Sequence, residues 1–345
     1  MIVYIILVLL ILFLPITRIS KKKYCILIGV FCTFVVGLRN INMGMGDTKD
    51  IYLNIFNKIS NMSYANTFNF IKRQDVEIVF YMLMRLYATF TKEPRLFLII
   101  CTIPYMYAIS RLIYKYSKAP YFSFIMFFSL NYFAFSFTLI RHCIALAFLI
   151  FAYDGLVERN FRKFLVFVII ATAFHRTAFI FIIAYPLLKV KCGLKNIILV
   201  FCSLIISIIF RNTLLNRLII LIGSKHFLQY LDAQANTLVF FFMNFLILLY
   251  VFFIAYKYYK NNSLLINVFT IGICFASCMF FFSEAFRICT FFSIYSIIIL
   301  PNAIKEIEDF NIRILSIYGL LILFIVYFFL FTMYNNEIYP YILMK

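Results

Sequence analysis

Tryptophan is missing from all 345 residues, and only three histidines are present. Without tryptophan, the aromatic belt at a lipid–water boundary has to be built from tyrosine. His142, His175 and His226 lie far apart in sequence, so no metal-ligand spacing exists. Nine cysteines are scattered through apolar runs. Cys274 and Cys278 share a helix face, but no His or acid joins them, so they read as packing residues. No internal repeat, Gly/Ser linker or charged tail interrupts the chain, which reads as one transmembrane domain over 1–345. The apolar runs are continuous rather than alternating, which excludes a β-barrel.

Hydrophobic residues make up 65% of the chain, and the mean hydropathy is +1.00. Soluble domains are about half apolar, so this composition predicts an all-α, polytopic membrane protein with about 11–12 transmembrane helices. The runs place spans at 2–17, 24–38, 95–113, 121–137, 143–157, 163–175, 176–189, 197–211, 238–256, 264–282, 287–304 and 314–334. Residues 1–17 carry no basic leader and are followed by Lys21-Lys22-Lys23, so they read as a first span with a cytoplasmic anchor.

The net charge of +19 would suggest nucleic acid in a soluble protein. Here most of the cations fall in short loops, where the positive-inside rule and anionic headgroups explain them. Loops 18–23, 111–118, 158–163, 189–195 and 257–260 are therefore expected on the cytoplasmic side. The longer, Asn-rich loops 39–76 and 211–237 are expected outside, together with both termini. An amphipathic helix is expected around Asp50–Ile59.

Two segments strain that scheme. Residues 77–91 look helical, yet a full span there would reverse the charge bias, so a half-inserted or re-entrant outer helix is expected, turning at Lys92-Glu93-Pro94-Arg95. Residues 163–189 are too few for two full α-helical crossings, which need about 40 residues. A short hairpin is expected, with Phe174-His175-Arg176-Thr177 at its tip in a cavity, because non-helical backbone at depth must be lined by protein or water.

Ionisable side chains inside apolar runs are expensive and mark function. The outward face gathers Arg39, Asp47, Tyr52, Glu77, Arg141, His142, His175, Arg176, Glu284 and Arg287. Arginine offers a planar fork of donors suited to phosphate oxygens and stays charged when desolvated. Asp47, Glu77 and His175 are candidates for accepting a proton from a sugar hydroxyl. Plainer readings stand beside these. Arg39 and Arg287 at span ends could snorkel to headgroups, Asp47 could belong to a turn, His175 could be a hydrogen-bonded core histidine, and Glu284 could simply pair with Arg287 one turn away.

Several short stretches, in order, resemble the EpsG/Wzy-like group of bacterial polysaccharide polymerases. They are Gly37-Leu38-Arg39, Gly46-Asp47-Thr48, Tyr52, Glu77 opening a short helix before Pro94, Ile140-Arg141-His142-Cys143-Ile144-Ala145, Phe174-His175-Arg176-Thr177-Ala178, Arg287, and Tyr339-Pro340-Tyr341. Two departures are His142, where the group's pattern has Gln, and an Asp47–Tyr52 spacing one residue longer. The resemblance implies a glycosyltransferase at the outer face of the bacterial inner membrane, with its active site toward the periplasm. It would transfer a growing glycan from undecaprenyl pyrophosphate to a second lipid-linked repeat unit, most simply as an O-antigen polymerase. It implies no cofactor, no metal and no nucleic acid. The partners would be undecaprenyl-pyrophosphate-linked repeat units, membrane lipids and a protein that regulates chain length. On the same footing Arg141, Arg176 and Arg287 would hold the pyrophosphate, and His175 or Glu77 would be the base or acceptor-positioning group. Arg39, Asp47 and Tyr52 would shape the sugar site, with His142 and Glu284 beside them. A lipid-linked oligosaccharide flippase, or another membrane transferase such as an O-antigen ligase or an acyltransferase, stays open as an alternative.

Overall fold

Long Ile, Leu, Phe and Val runs leave the backbone little choice in lipid: its N–H and C=O groups must be satisfied within the segment, and the helix does this. A computed structural model of the chain describes all residues except 41–42, 44–51, 74–76, 212, 214–234, 281, 283–284 and 344–345. The described residues are overwhelmingly helical and contain no strand; an isolated bridge joins Arg39 to Leu343. Among them, Pro94–Tyr116, Ile140–Val157, Ser263–Phe280, Ala285–Lys305 and Phe310–Asn335 are long and apolar enough to cross a membrane. The pair Pro120–Ser129 and Tyr132–Thr138, bent by 51°, would make a sixth crossing. Shorter apolar helices run over Ile2–Thr17, Ile78–Tyr87, Leu194–Ile209 and Leu238–Ile254. The protein is a multi-pass helical membrane protein.

The chain divides into two compact units, Met1–Ile182 with Gly319–Lys345, and Ile183–Tyr318. The first is built from α1 (Ile2–Phe13), α2 (Lys21–Gly37), α3 (Asn54–Ile59), α4 (Tyr64–Arg73), α5 (Ile78–Tyr87), α6 (Pro94–Tyr116), α7 (Pro120–Ser129), α8 (Tyr132–Thr138), α9 (Ile140–Val157) and α10 (Phe161–Phe174). Its frame is α2 against α6, α6 against α9, and α9 against α10. The last contact is close because Gly155 has no side chain: a Cβ there would lie 2.6 Å from the backbone nitrogen of Phe164. The C-terminal stretch closes the unit. Tyr341 Oη donates to the Val35 carbonyl at 2.9 Å, Tyr4 Oη donates to the Ile338 carbonyl at 2.6 Å, and the Asn40 N–H donates to Ile342 O at 2.7 Å.

The segment expected as a second helical arm after His175 is not α-helical. Arg176–Ala184 and Pro186–Lys189 wind as 3₁₀ turns, which rise about 2.0 Å per residue against 1.5 Å for an α-helix. A short stretch therefore reaches further than the helical count allowed. The chain does fold back, since the Phe181 ring lies 6.1 Å from that of Phe164 near the start of α10.

The second unit holds Leu194–Ile209, Ala235–Ile254, Ser263–Ser277, Ala285–Ser293 and Ser296–Lys305. A polar knot fixes two of its helices. Asn196 Nδ2 donates to Asn267 Oδ1 at 2.8 Å and to Thr270 Oγ1 at 3.0 Å, and Asn267 Nδ2 donates to the Val190 carbonyl at 2.6 Å. Buried amides of this kind need partners, and here they have them.

Candidate functional site

Three helix ends meet in the first unit, and each delivers a charged or titratable group. Helix α5 begins after Glu77, whose backbone is extended (φ −68°, ψ 111°) and whose side chain makes no cap to its own helix. Helix α9 begins after a break at Leu139, which places Arg141 in its first turn. A cation there opposes the helix dipole, so it calls for a counter-charge. Helix α10 stops at Phe174, and His175 turns out extended (φ −153°, ψ 112°), carrying its imidazole off the helix axis.

Glu77 is the hub. Arg141 Nη1 donates to Glu77 Oε2 in a short ion pair. His175 Nδ1 lies 3.2 Å from Glu77 Oε1, and the Arg176 backbone N–H donates to that same oxygen at 3.3 Å. The side chains are mostly covered, with Glu77 11%, His175 12% and Arg141 20% exposed. Burial alone would push the Glu77 carboxyl up. The adjacent His175 imidazole and the charge of Arg141 outweigh it and hold the group down at about 2. It is a carboxylate throughout the physiological range.

Arg141 is held on a second side by tyrosines. Its Nε donates to Tyr52 Oη at 3.3 Å, and its Cζ sits 5.9 Å from the Tyr52 ring and 5.5 Å from the Tyr81 ring. Such cation–π contacts gain strength where water is scarce. His142 is buried and meets His175 edge to face, with ring centroids 5.4 Å apart. The structure thus brings Tyr52, Glu77, Arg141, His142 and His175 into one cluster, with the backbone N–H of Arg176. Tyr81 joins it unannounced, although it stands one helical turn after Glu77, which places the two on one face.

Arg39 lies outside the cluster. It is 2% exposed, and its Nη1 and Nη2 donate to the carbonyls of Val36 at 2.5 Å and Phe137 at 2.6 Å. Two of its nitrogens are committed to main chain, so it reads as a clamp between the end of α2 and α8 and not as a ligand for sugar. Arg287 belongs to the second unit, where its Cζ sits 5.9 Å from the Phe286 ring. Asp47 and Glu284 fall outside the described residues.

A second ionic cluster went unread in the sequence. Asp154 on α9 is 1% exposed; it pairs with Arg111 Nη1 at 2.6 Å and accepts from Lys115 Nζ at 2.8 Å, with a short bond from Tyr116 Oη. It lies about 20 Å along α9 from Arg141 at 1.5 Å per residue. The signal was available: Asp154 is the only acid within that helix.

The fold and the cluster define a multi-pass helical membrane protein with one carboxylate set between an arginine and a histidine. The chain belongs to the EpsG family, whose model matches residues 22–343 and so covers every element of the cluster. Membership implies a membrane polysaccharide polymerase of the glycosyltransferase kind. No curated protein and no solved structure matches the chain.

Proposed function

We propose that this polymerase joins lipid-linked oligosaccharide repeat units. The growing glycan would move from polyprenyl pyrophosphate to a sugar hydroxyl on a second lipid-linked unit, as an O-antigen polymerase does. The observation that carries the reading is the sharing of Glu77 between Arg141 and His175. With Nδ1 turned toward the carboxylate at 3.2 Å, His175 Nε2 would serve as the basic nitrogen of the ring. The acceptor oxygen attacks the anomeric carbon, its proton passes to Nε2, and the bond to the pyrophosphate breaks. The departing polyprenyl pyrophosphate gains negative charge, and Arg141 and Arg176 supply the complement. Preorganised cations in a site of low dielectric are worth far more there than in water. Glu77, paired with Arg141 on one oxygen and facing His175 with the other, would orient His175.

Charge bias supports an outward, periplasmic face for this site. The N-terminus of α9 and the C-terminus of α10 carry the cluster, whereas their opposite ends adjoin the basic stretch 158–163.

The test is deletion of the gene followed by electrophoresis of the cell's glycans. The expected outcome is collapse of the ladder to a single repeat, restored by wild type and not by Arg141→Ala at equal protein level. Loss of even the single repeat would point to a flippase or ligase, and an unchanged ladder would remove the assignment to this polymer.

A further inference from the structure

The second unit holds a pocket of about 230 Å³ with one polar wall and one apolar wall. Two helices build it. Asn196 meets Asn267 near the starts of Leu194–Ile209 and Ser263–Ser277, and Ser207 meets Ser277 near their ends, so the two run parallel. Lys195 and Leu199 stand four residues apart on the first helix, and Asn267 and Ile271 four apart on the second. Residues at that spacing share a face. Each helix therefore gives the pocket a polar residue near its start and an apolar residue one turn further in. Leu187 and Val190 extend the apolar wall. Both helix starts adjoin basic stretches, 189–195 and 257–260, where charge bias supports the cytoplasmic surface.

We infer that this pocket binds one anionic phospholipid of the cytoplasmic leaflet, with its phosphate at Lys195 and Asn267 and the start of an acyl chain along Leu187, Leu199 and Ile271. The hydrogen bonds favour an acceptor at the polar end. Asn196 commits both Nδ2 hydrogens to Asn267 and Thr270, and its oxygen to the Gly193 N–H. Thr270 Oγ1 donates to the Ile266 carbonyl at 2.8 Å. Two kinds of donor remain: the Lys195 ammonium, and the second hydrogen of the Asn267 amide, whose first goes to Val190. A phosphodiester only accepts there, and it brings the complementary charge. The pattern of acids decides between anionic and zwitterionic lipid. Among the described residues no Asp or Glu lines the pocket, and the sequence has none between Glu158 and Asp232. Glu308, which comes near the second basic stretch, is held 2.9 Å from Lys257. The ammonium of an ethanolamine headgroup would meet lysines and no carboxylate, whereas a glycerol headgroup meets no such repulsion. Basic pockets between membrane helices take anionic headgroups on the same grounds. No residue of the Glu77 cluster takes part.

The experiment is native mass spectrometry of the full-length protein in detergent, titrated with phosphatidylglycerol or with phosphatidylethanolamine of identical acyl chains. Wild type should retain one phosphatidylglycerol about fivefold more tightly than phosphatidylethanolamine. Lys195→Ala, at an exposed position, should abolish that preference, and Lys195→Arg should keep it. Lys191→Ala, the same change of charge outside the lining, should leave it intact. Ile271→Trp, which fills the apolar end, should weaken retention with Lys195 still in place. Inorganic phosphate at millimolar concentration should not displace the lipid, because it makes no use of the apolar wall. Equal retention of the two lipids by wild type would overturn the selectivity. Equal losses in Lys191→Ala and Lys195→Ala would reduce the effect to general surface charge and overturn the site. Displacement by phosphate alone would overturn a lipid as the occupant.

Discussion

Glu77 Oε1 faces His175 Nδ1 across 3.2 Å, while the other oxygen of Glu77 holds Arg141. One carboxylate therefore sets the direction of the candidate base and restrains the candidate anion-binding cation.

Substituting Glu77→Gln separates those roles. Without the anion, His175 loses its orienting partner, and turnover should fall by roughly 10²–10⁴-fold. Arg141 is no longer neutralised, so a pyrophosphate-bearing donor should bind more tightly. Kinetics with purified lipid-linked donor would separate KM from kcat; a parallel loss of both would mean that Glu77 only holds the fold.

Arg141→Lys keeps the charge and removes the fork. Lysine cannot bond Glu77 and Tyr52 with two nitrogens of one plane. Polymerisation should drop by about 10²-fold or more, at unchanged protein level on an immunoblot. Normal glycan length in this variant would take Arg141 out of the site.

Acid should act through Glu77. Its carboxyl stands at about 2 in the folded protein against an ordinary 4.5. A depressed value stabilises the fold above the ordinary pKa, and that contribution is lost as pH falls from about 4.5 toward 2, amounting to roughly 2–3 kcal/mol in full. Thermal unfolding of the detergent-solubilised protein between pH 6 and 3 should show wild type weakening more than Glu77→Gln. Identical slopes would place the acid sensitivity elsewhere.

Gly155→Ala tests the frame that carries the site. The added Cβ would meet the Phe164 backbone at 2.6 Å, and backbone cannot rotate away as a side chain can. Overpacking of this kind costs about 1–3 kcal/mol. A melting temperature equal to wild type would show that α9 and α10 can separate freely.

Asp154→Asn should lower the steady-state level of the protein, because Arg111 and Lys115 lose their counter-ion at a buried position. Polymer made per molecule of surviving protein should stay near wild type. A loss of specific activity would tie this end of α9 to the chemistry.

Arg141 and His175 were legible because a charged or titratable group in an apolar run has few structural excuses. Glu77 was legible from the same contrast at the start of a short helix. Of the spans expected from hydropathy, those at 95–113 and 143–157 lie close to the helices Pro94–Tyr116 and Ile140–Val157, while among the described residues five or six helices, not 11–12, are long and apolar enough to cross a membrane. Tyr81 was hidden by abundance, since one tyrosine among twenty-five carries no signal until its neighbour is known. Arg39 shares its sequence context with a ligand, but whether a guanidinium ends on phosphate or on two carbonyls is a three-dimensional fact. The 3₁₀ winding after His175 was equally out of reach, because hydropathy measures apolar length and is blind to rise per residue.

The unit that carries the cluster is discontinuous, with residues 319–343 returning to seal residues emitted far earlier by the ribosome. Tyr341 reaches Val35, and Ile342 accepts from Asn40, only after the whole second unit has been threaded into the bilayer. A nascent chain halted at Tyr318 would hold every residue of the Glu77 cluster and still lack its seal. Assembly of this unit is thus tied to synthesis of residues 319–343, and a nonsense mutation within Phe310–Tyr327 should act as a loss of the assembled unit rather than as a trimmed tail.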